Sequence, residues 1–206
     1  MARNDNSVNI TPATRSYHHG DLRAALIAAG LEMLKDRSAD ALSLREIARQ
    51  VGVSATAVYR HFPDKQALLY ALCEDGADQL RRCQQAAMDA AGGGKAGFDA
   101  TGRAYVRFAL DHPALFRLMS TIKRPGEADA VGASAVNGAM QLLRQNVASL
   151  LPAEASDMDK RLATIKAWAK VHGLAMLMLD GQVAVDDRLI DAITTPVMPG
   201  PVIPGD

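Results

Sequence analysis

Hydrogen-bond donors between residues 59 and 65 form the group of side chains in this sequence that is best suited to binding an anion. Tyr59 and His61 can each donate to a phosphate oxygen. Lys65 stands in the first turn of a predicted helix, where its ammonium and the helix amides attract the same anion. This pattern predicts contacts with the phosphate backbone of a nucleic acid.

Side chains just before this group suit the edges of DNA bases. Arginine can donate two hydrogen bonds to guanine, and the methyl groups of threonine and alanine can contact the methyl group of thymine. Ala55 and Ala57 are explained equally well as helix formers. The full set of predicted DNA contacts is Arg45, Ser54, Ala55, Thr56, Ala57, Tyr59, Arg60, His61 and Lys65.

The elements that position these side chains are predicted to be a helix-turn-helix. Ser43 and Glu46 have the spacing of a capping box, Gly52 ends the first helix, and Ser54 can cap a second helix that runs to Phe62. The second helix of such a unit lies in the DNA major groove. A generic helical hairpin has the same spacing, so spacing alone leaves both interpretations open.

The residue string SLREIARQVGVSATAVYRHFPDKQALL closely resembles the DNA-binding domain of the tetracycline-repressor (TetR) family of bacterial transcription regulators. The resemblance runs from about Tyr17 to Leu72, and residues 59–65 match the family pattern Tyr-x-His-Phe-x-x-Lys. Residues 98–194 are similar to a subgroup whose regulatory domain has a Trp, His, Gly signature, here Trp168, His172 and Gly173.

This resemblance implies an all-helical, dimeric regulator that represses promoters and leaves DNA when a small ligand binds. Arg45 matches a position that reaches a base in some family members. An enzymatic activity is not expected, and neither a cofactor nor a metal is predicted. The alternative from another class is a helical small-molecule-binding protein or enzyme that no longer binds DNA. Intact Tyr59, His61 and Lys65 argue against that alternative.

Periodicity divides the chain into four parts and predicts an all-α fold. A long helix from Asp64 to Ala91, ended by Gly92 to Gly94, joins the DNA-binding part to the regulatory part. The predicted parts are a flexible arm (1–17), a three-helix DNA-binding domain (18–65), a helical ligand-binding and dimerisation domain (66–195) and a Pro-rich tail (196–206). The arm could enter the minor groove or take no part in binding.

Apolar and aromatic residues in the second half of the chain are candidates for a ligand cavity, although such stripes usually form core. Tyr105, His112 and His172 are the predicted polar anchors, so the expected effector is an uncharged or weakly charged, partly apolar molecule. The candidate ligand residues are Tyr105, Phe108, His112, Phe116, Met119, Met140, Trp168, His172 and Met176.

The stripe from Leu162 to Leu179 and the helix from Asp186 to Thr194 resemble the pair that forms the family's four-helix dimer interface. A two-fold dimer presents two DNA-binding domains to one face of a duplex, which predicts a roughly palindromic operator. An apolar stripe can also serve the core of a single chain.

Composition excludes several other classes of protein. Lys plus Arg and Asp plus Glu are 23 each, so the net charge of zero excludes a uniformly cationic coat but permits local phosphate contacts. Cys73 and Cys83 are ten residues apart on one predicted helix and point in different directions. The N-terminus has no apolar run typical of a secretion signal, and the longest apolar run, Leu174 to Leu179, is too short to span a bilayer. We therefore expect a cytoplasmic protein with no membrane partner.

Overall fold

The computed structural model describes residues 21–122 and 137–195, and the predicted arm and Pro-rich tail lie outside these residues. The described residues form helices joined by short turns, with no strand, which confirms the predicted all-α fold. A short 3-10 turn, Ala39–Ala41, stands between the first two α-helices. The α-helices are α1 (Leu22–Leu34), α2 (Leu44–Val51), α3 (Ala55–Tyr59), α4 (Lys65–Ala90), α5 (Gly94–Asp111), α6 (Pro113–Thr121), α7 (Asn137–Leu150), α8 (Asp157–Leu179) and α9 (Asp187–Thr194).

The first three helices form the predicted helix-turn-helix around a small apolar centre. Gly52 has a φ of 78°, the left-handed conformation that lets α2 end and the chain turn at once toward α3. The Ser54 hydroxyl then accepts from the Ala57 amide at 3.3 Å and caps α3. Val58 and Phe62 point inward and are almost completely buried.

The predicted capping box at α2 is wrong. The Ser43 side chain makes no capping hydrogen bond. The Glu46 carboxylate instead accepts from the Arg37 guanidinium at 3.3 Å, because a charged donor is a stronger partner than a backbone amide. A complete capping box forms at the start of α8, where Ser156 and Asp159 bond each other's backbone amides at 3.0 and 3.1 Å.

Two predicted helix boundaries also differ from the structure. The helix α3 ends at Tyr59 rather than Phe62, because the amides of both His61 and Phe62 turn back to the Val58 carbonyl. The apolar pattern after the glycines predicts a helix from Phe98 to Leu110, but the helix α5 begins four residues earlier, at Gly94. Gly92, Gly93 and Gly94 have φ values of 77°, 74° and 57°, so the chain reverses across these three glycines and the next helix starts at once.

The long helix α4 joins the predicted DNA-binding and regulatory parts through one continuous apolar core. Its N-terminus is capped by Asp64, whose carboxylate accepts from the Ala67 amide at 2.7 Å. Two glycines allow the neighbouring helices α1 and α6 to pack closely against α4. A Cβ on Gly30 of α1 would lie 2.9 Å from a Leu72 methyl, and a Cβ on Gly76 would lie 2.8 Å from the Met119 sulfur of α6. With so little free space, a shift of α4 must displace α1 as well.

The regulatory part is a bundle in which α5 lies against α4, α7, α8 and α9. Ion pairs of Arg107 with Asp187 and of Arg103 with Asp191 hold α9 on α5. Arg117 of α6 donates to the Leu179 carbonyl at 2.9 Å, where a cation stabilises the C-terminal end of α8. By length and apolar content, α8 could also cross a membrane, but core helices of other proteins have the same length and apolar content.

Candidate DNA-binding surface and ligand cavity

The predicted DNA contacts form an exposed surface on α2, α3 and the turn that follows. Those that are exposed to solvent are Arg45, Ser54, Thr56, Tyr59, Arg60 and His61, while Ala55, Ala57 and Lys65 are half-buried. The Tyr59 side chain is 47% exposed, although it is a large aromatic group beside a well-formed core. Among the described residues, no carboxylate lies within ion-pair distance of Arg45 or Arg60. These two arginines are therefore exposed to solvent and form no ion pair among the described residues.

Lys65 lies at the edge of this surface and is held by the backbone. Its Nζ donates to the Asp40 carbonyl at 2.6 Å, which ties the start of α4 to the 3-10 turn. An ammonium has three donors, so this bond leaves two for an anion. Lys65 can therefore both fix the position of α4 and contact a phosphate.

A cavity of about 50 Å³ lies in the regulatory bundle between α4, α5, α7, α8 and α9. Of the predicted ligand residues, Tyr105, Met140 and Trp168 line it. The lining residues that sequence reasoning missed are Gln84, Phe98, Thr101, Gly102, Ala139, Leu143, Ala167, Lys170, Val171 and Thr194. Most of these are small or polar, so they carry no apolar signal of the kind used to choose candidates.

The other predicted ligand residues lie outside the cavity lining. Phe108, Phe116 and Met119 are buried in the core that continues from the DNA-binding part, and Met176 lies against that core. The ring of His112 lies 4.7 Å from that of Phe108, beside a crevice between α1, α4 and α6. Their aromatic and apolar character is explained by this packing.

A chain of hydrogen bonds connects the cavity wall to the core. The Trp168 Nε1–H donates to the Tyr105 hydroxyl at 3.3 Å, and that hydroxyl lies 2.9 Å from Nδ1 of His172. Burial raises the pKa of Tyr105 to about 12, partly offset by the hydrogen bond from Trp168, so the phenol keeps its proton at neutral pH. The phenol can then donate to His172, which requires a neutral imidazole with Nδ1 as the acceptor.

The pH dependence of the free energy of unfolding should show that the His172 imidazole is neutral in the folded protein. Burial lowers the pKa of His172 below 6.5, so below that pH the unfolded chain takes up the proton first. Its contribution to the free energy of unfolding is complete above about pH 6.5 and is lost as the pH falls through the lowered pKa. When the pH is lowered from about 7.5 to about 5.5, the free energy of unfolding, measured by urea denaturation, should fall less for His172→Gln than for wild type.

The matched control is His61→Gln, which makes the same change at an exposed histidine. That variant should keep the wild-type pH dependence. A wild-type pH dependence in His172→Gln would instead show that this imidazole does not contribute to it.

Comparisons with known proteins agree with both halves of this architecture. Residues 26–72 match the family model for bacterial regulatory proteins of the tetR family, and residues 98–197 match the model for a tetracyclin repressor-like C-terminal domain. The first match covers the helix-turn-helix and the start of α4, and the second covers most of the cavity lining.

Solved structures show the same fold. A protein of unknown function from Rhodococcus sp. RHA1 is 35% identical with a TM-score of 0.68, over 88% of this chain and 94% of its own. A tetR-family transcriptional regulator from Streptomyces coelicolor is 24% identical with a TM-score of 0.60, over 84% of this chain and 76% of its own. A TetR family regulator from Marinobacter aquaeolei VT8 is 21% identical with a TM-score of 0.60, over 83% and 92%. This chain therefore belongs to the TetR family of bacterial transcriptional regulators.

Proposed function

We propose that this regulator is a repressor that binds a roughly palindromic operator as a homodimer and is released by an uncharged or weakly charged, partly apolar small molecule. The observation that supports DNA binding is the exposed surface of hydrogen-bond donors on α2 and α3. Solvent-facing Arg45 and Arg60, beside Tyr59 and His61, suit base edges and phosphate oxygens. We assign residues 18–65 to DNA binding and residues 66–195 to ligand binding and dimerisation, with the protein in the cytoplasm and without enzymatic activity.

The size of the cavity supports coupling between effector and operator. A space of about 50 Å³ holds a few water molecules but is smaller than the roughly 150 Å³ that accommodates benzene. An effector must therefore widen the bundle as it enters. One wall is α4, the helix whose N-terminal turn carries Lys65 and whose core is shared with α1. A ligand that binds only the widened state shifts the protein toward it, and operator and effector then weaken each other by the same factor.

An exposed apolar face on α8 supports the dimer. Met158, Leu162, Ala169, Gly173 and Leu177 recur at spacings of four and seven, so they lie on one face of the helix. Met158 is 60% exposed, Leu162 46% and Leu177 41%. A Cβ on Gly173 would meet nothing within 4 Å, so a second helix can approach closely there. A second copy of the chain would cover this face and place two DNA-binding domains on one duplex.

Selection of duplexes from a randomised library tests the proposed function directly. The full-length protein should enrich two inverted half-sites whose centres are separated by about one helical turn or a multiple of it. Enrichment of no sequence, at low as well as moderate salt, would favour a helical small-molecule-binding protein or enzyme that no longer binds DNA.

A variant at Arg45 tests direct base recognition. If its guanidinium donates to guanine, Arg45→Ala should cost about 1–3 kcal/mol of operator binding and relax the preference at one base pair in each half-site. The measurement is a repeated library selection with the variant.

The charge-matched control is Arg82→Ala, which removes an exposed arginine from α4. It should keep the wild-type base preference. A uniform loss of affinity in Arg45→Ala with an unchanged preference would make Arg45 a phosphate contact instead.

A further inference from the structure

We propose that the cavity selects an uncharged aromatic molecule that carries a hydrogen-bond donor, and that Gln84 Oε1 accepts from this donor. This inference rests on the proposed effector site in the regulatory bundle. It adds the chemical class of the effector and identifies a residue that recognises the effector by a hydrogen bond.

Gln84 is a buried amide with one polar atom unused. It lies on α4, is 7% exposed and lines the cavity. Its Nε2 donates to the Thr101 carbonyl of α5 at 3.3 Å, and because a carbonyl can only accept, this bond fixes the orientation of the amide. The oxygen Oε1 is buried and has no hydrogen-bond partner among the described residues. A buried acceptor without a partner costs free energy, so a ligand that donates a hydrogen bond to Oε1 should bind more tightly.

The neighbouring polar side chains are already engaged with the protein. The Thr101 hydroxyl donates to the Phe98 carbonyl at 2.7 Å, and the Thr194 hydroxyl donates to the Ile190 carbonyl at 2.8 Å. The Trp168 N–H is directed to Tyr105, whose hydroxyl is paired with His172. These bonds leave the cavity with a buried acceptor to satisfy and occupy the donors of Thr101, Thr194 and Trp168. The one ammonium in the lining, that of Lys170, is exposed to solvent. The complementary ligand therefore brings an N–H or O–H of its own.

The remaining walls indicate the rest of the ligand. Rings of Phe98, Tyr105 and Trp168 offer faces and edges against which a flat aromatic molecule can pack. Lys170 is the only charged residue among the described lining residues, and it is exposed to solvent. An ion inside would lose its hydration without a buried counter-charge, which favours an uncharged molecule.

Indole and benzofuran are suitable probes because they have the same shape and differ in one position, N–H against ring oxygen. Isothermal titration calorimetry on the full-length protein should show that wild type binds indole about tenfold more tightly than benzofuran, the factor expected for one hydrogen bond to a buried acceptor. Benzofuran has no N–H, so it leaves Oε1 without a hydrogen-bond donor. In Gln84→Met, which has nearly the same shape and no amide, the two affinities should become equal.

The matched control is Gln85→Met, the same substitution at the next residue, where the Gln85 amide donates to Asp89 at 2.8 Å. This variant should keep the wild-type preference for indole. Equal binding of both probes to wild type, binding of neither, or a preference that survives in Gln84→Met would each overturn the inference.

Operator binding, measured on the same protein samples, separates this inference from the proposed function. If wild type binds its operator but does not distinguish the probes, the proposed function is retained and the proposed role of Gln84 is wrong. If wild type binds no operator, the proposed function fails, whatever the probes show.

Discussion

Replacing Ala169 with glutamate is expected to turn the dimer into a monomer and to weaken operator binding by about 100-fold or more. Ala169 lies in the middle of the exposed apolar face of α8, one turn before Gly173. In a dimer joined through this face, the glutamate would place a charge among the apolar side chains of the two copies, where it loses its hydration, which is destabilising. A monomer loses the advantage of two linked half-site contacts, which is worth about 10²- to 10⁴-fold in affinity. Light scattering and fluorescence anisotropy with operator DNA measure the two effects.

The fold of the single chain should be unaffected, because Ala169 is exposed in it. The matched control is Ala86→Glu, at an exposed alanine on α4 outside the apolar face of α8. That variant should remain dimeric and bind the operator with wild-type affinity. If Ala169→Glu folds and is still a dimer at micromolar concentration, another surface joins the two copies.

Local sequence patterns predicted the fold wherever one short interaction determined the structure. Ser54 caps its helix as expected, and Asp64 and Asp186 cap theirs in the same way, because each accepts from a backbone amide only two or three residues away. Ser43 has the same local pattern and fails, because Arg37 competes for Glu46 across nine residues of sequence. That competition depends on how α1 and α2 meet, which no local pattern records.

The cavity was less predictable, because its walls depend on how five helices meet. On α4, Cys83 follows Leu80 by three residues and so continues the apolar stripe, yet Cys83 is exposed and Gln84 is buried. A helical stripe can advance by three or four residues, and here the polar residue takes the inward position because α5 offers it the Thr101 carbonyl. Trp168 and Tyr105 line the cavity because both rings are large enough to reach the space between helices. Their role in ligand binding stays a prediction.

The second large effect is expected from Ala167→Phe, which should leave operator binding intact and abolish release by the effector. Ala167 is half-buried on α8 and lines the cavity. A phenyl ring at this position would fill the free space of about 50 Å³ from the wall. An effector would then have to displace the ring, at a cost of about 1–3 kcal/mol or more, so the concentration needed for release should rise by up to about 100-fold or beyond the solubility of the compound.

The effector for this experiment can be found by screening for compounds that change the fluorescence of Trp168, the only tryptophan in the chain and part of the cavity wall. Operator affinity is then measured by anisotropy with increasing effector, for wild type, Ala167→Phe and the control Ala163→Phe. Ala163 is half-buried one turn earlier on α8 but borders a different crevice, beside Leu151 and Pro152. The control should respond like wild type. If Ala167→Phe binds the operator and releases it at the wild-type effector concentration, the effector acts elsewhere, and the link from the cavity through α4 to the DNA-binding surface does not hold.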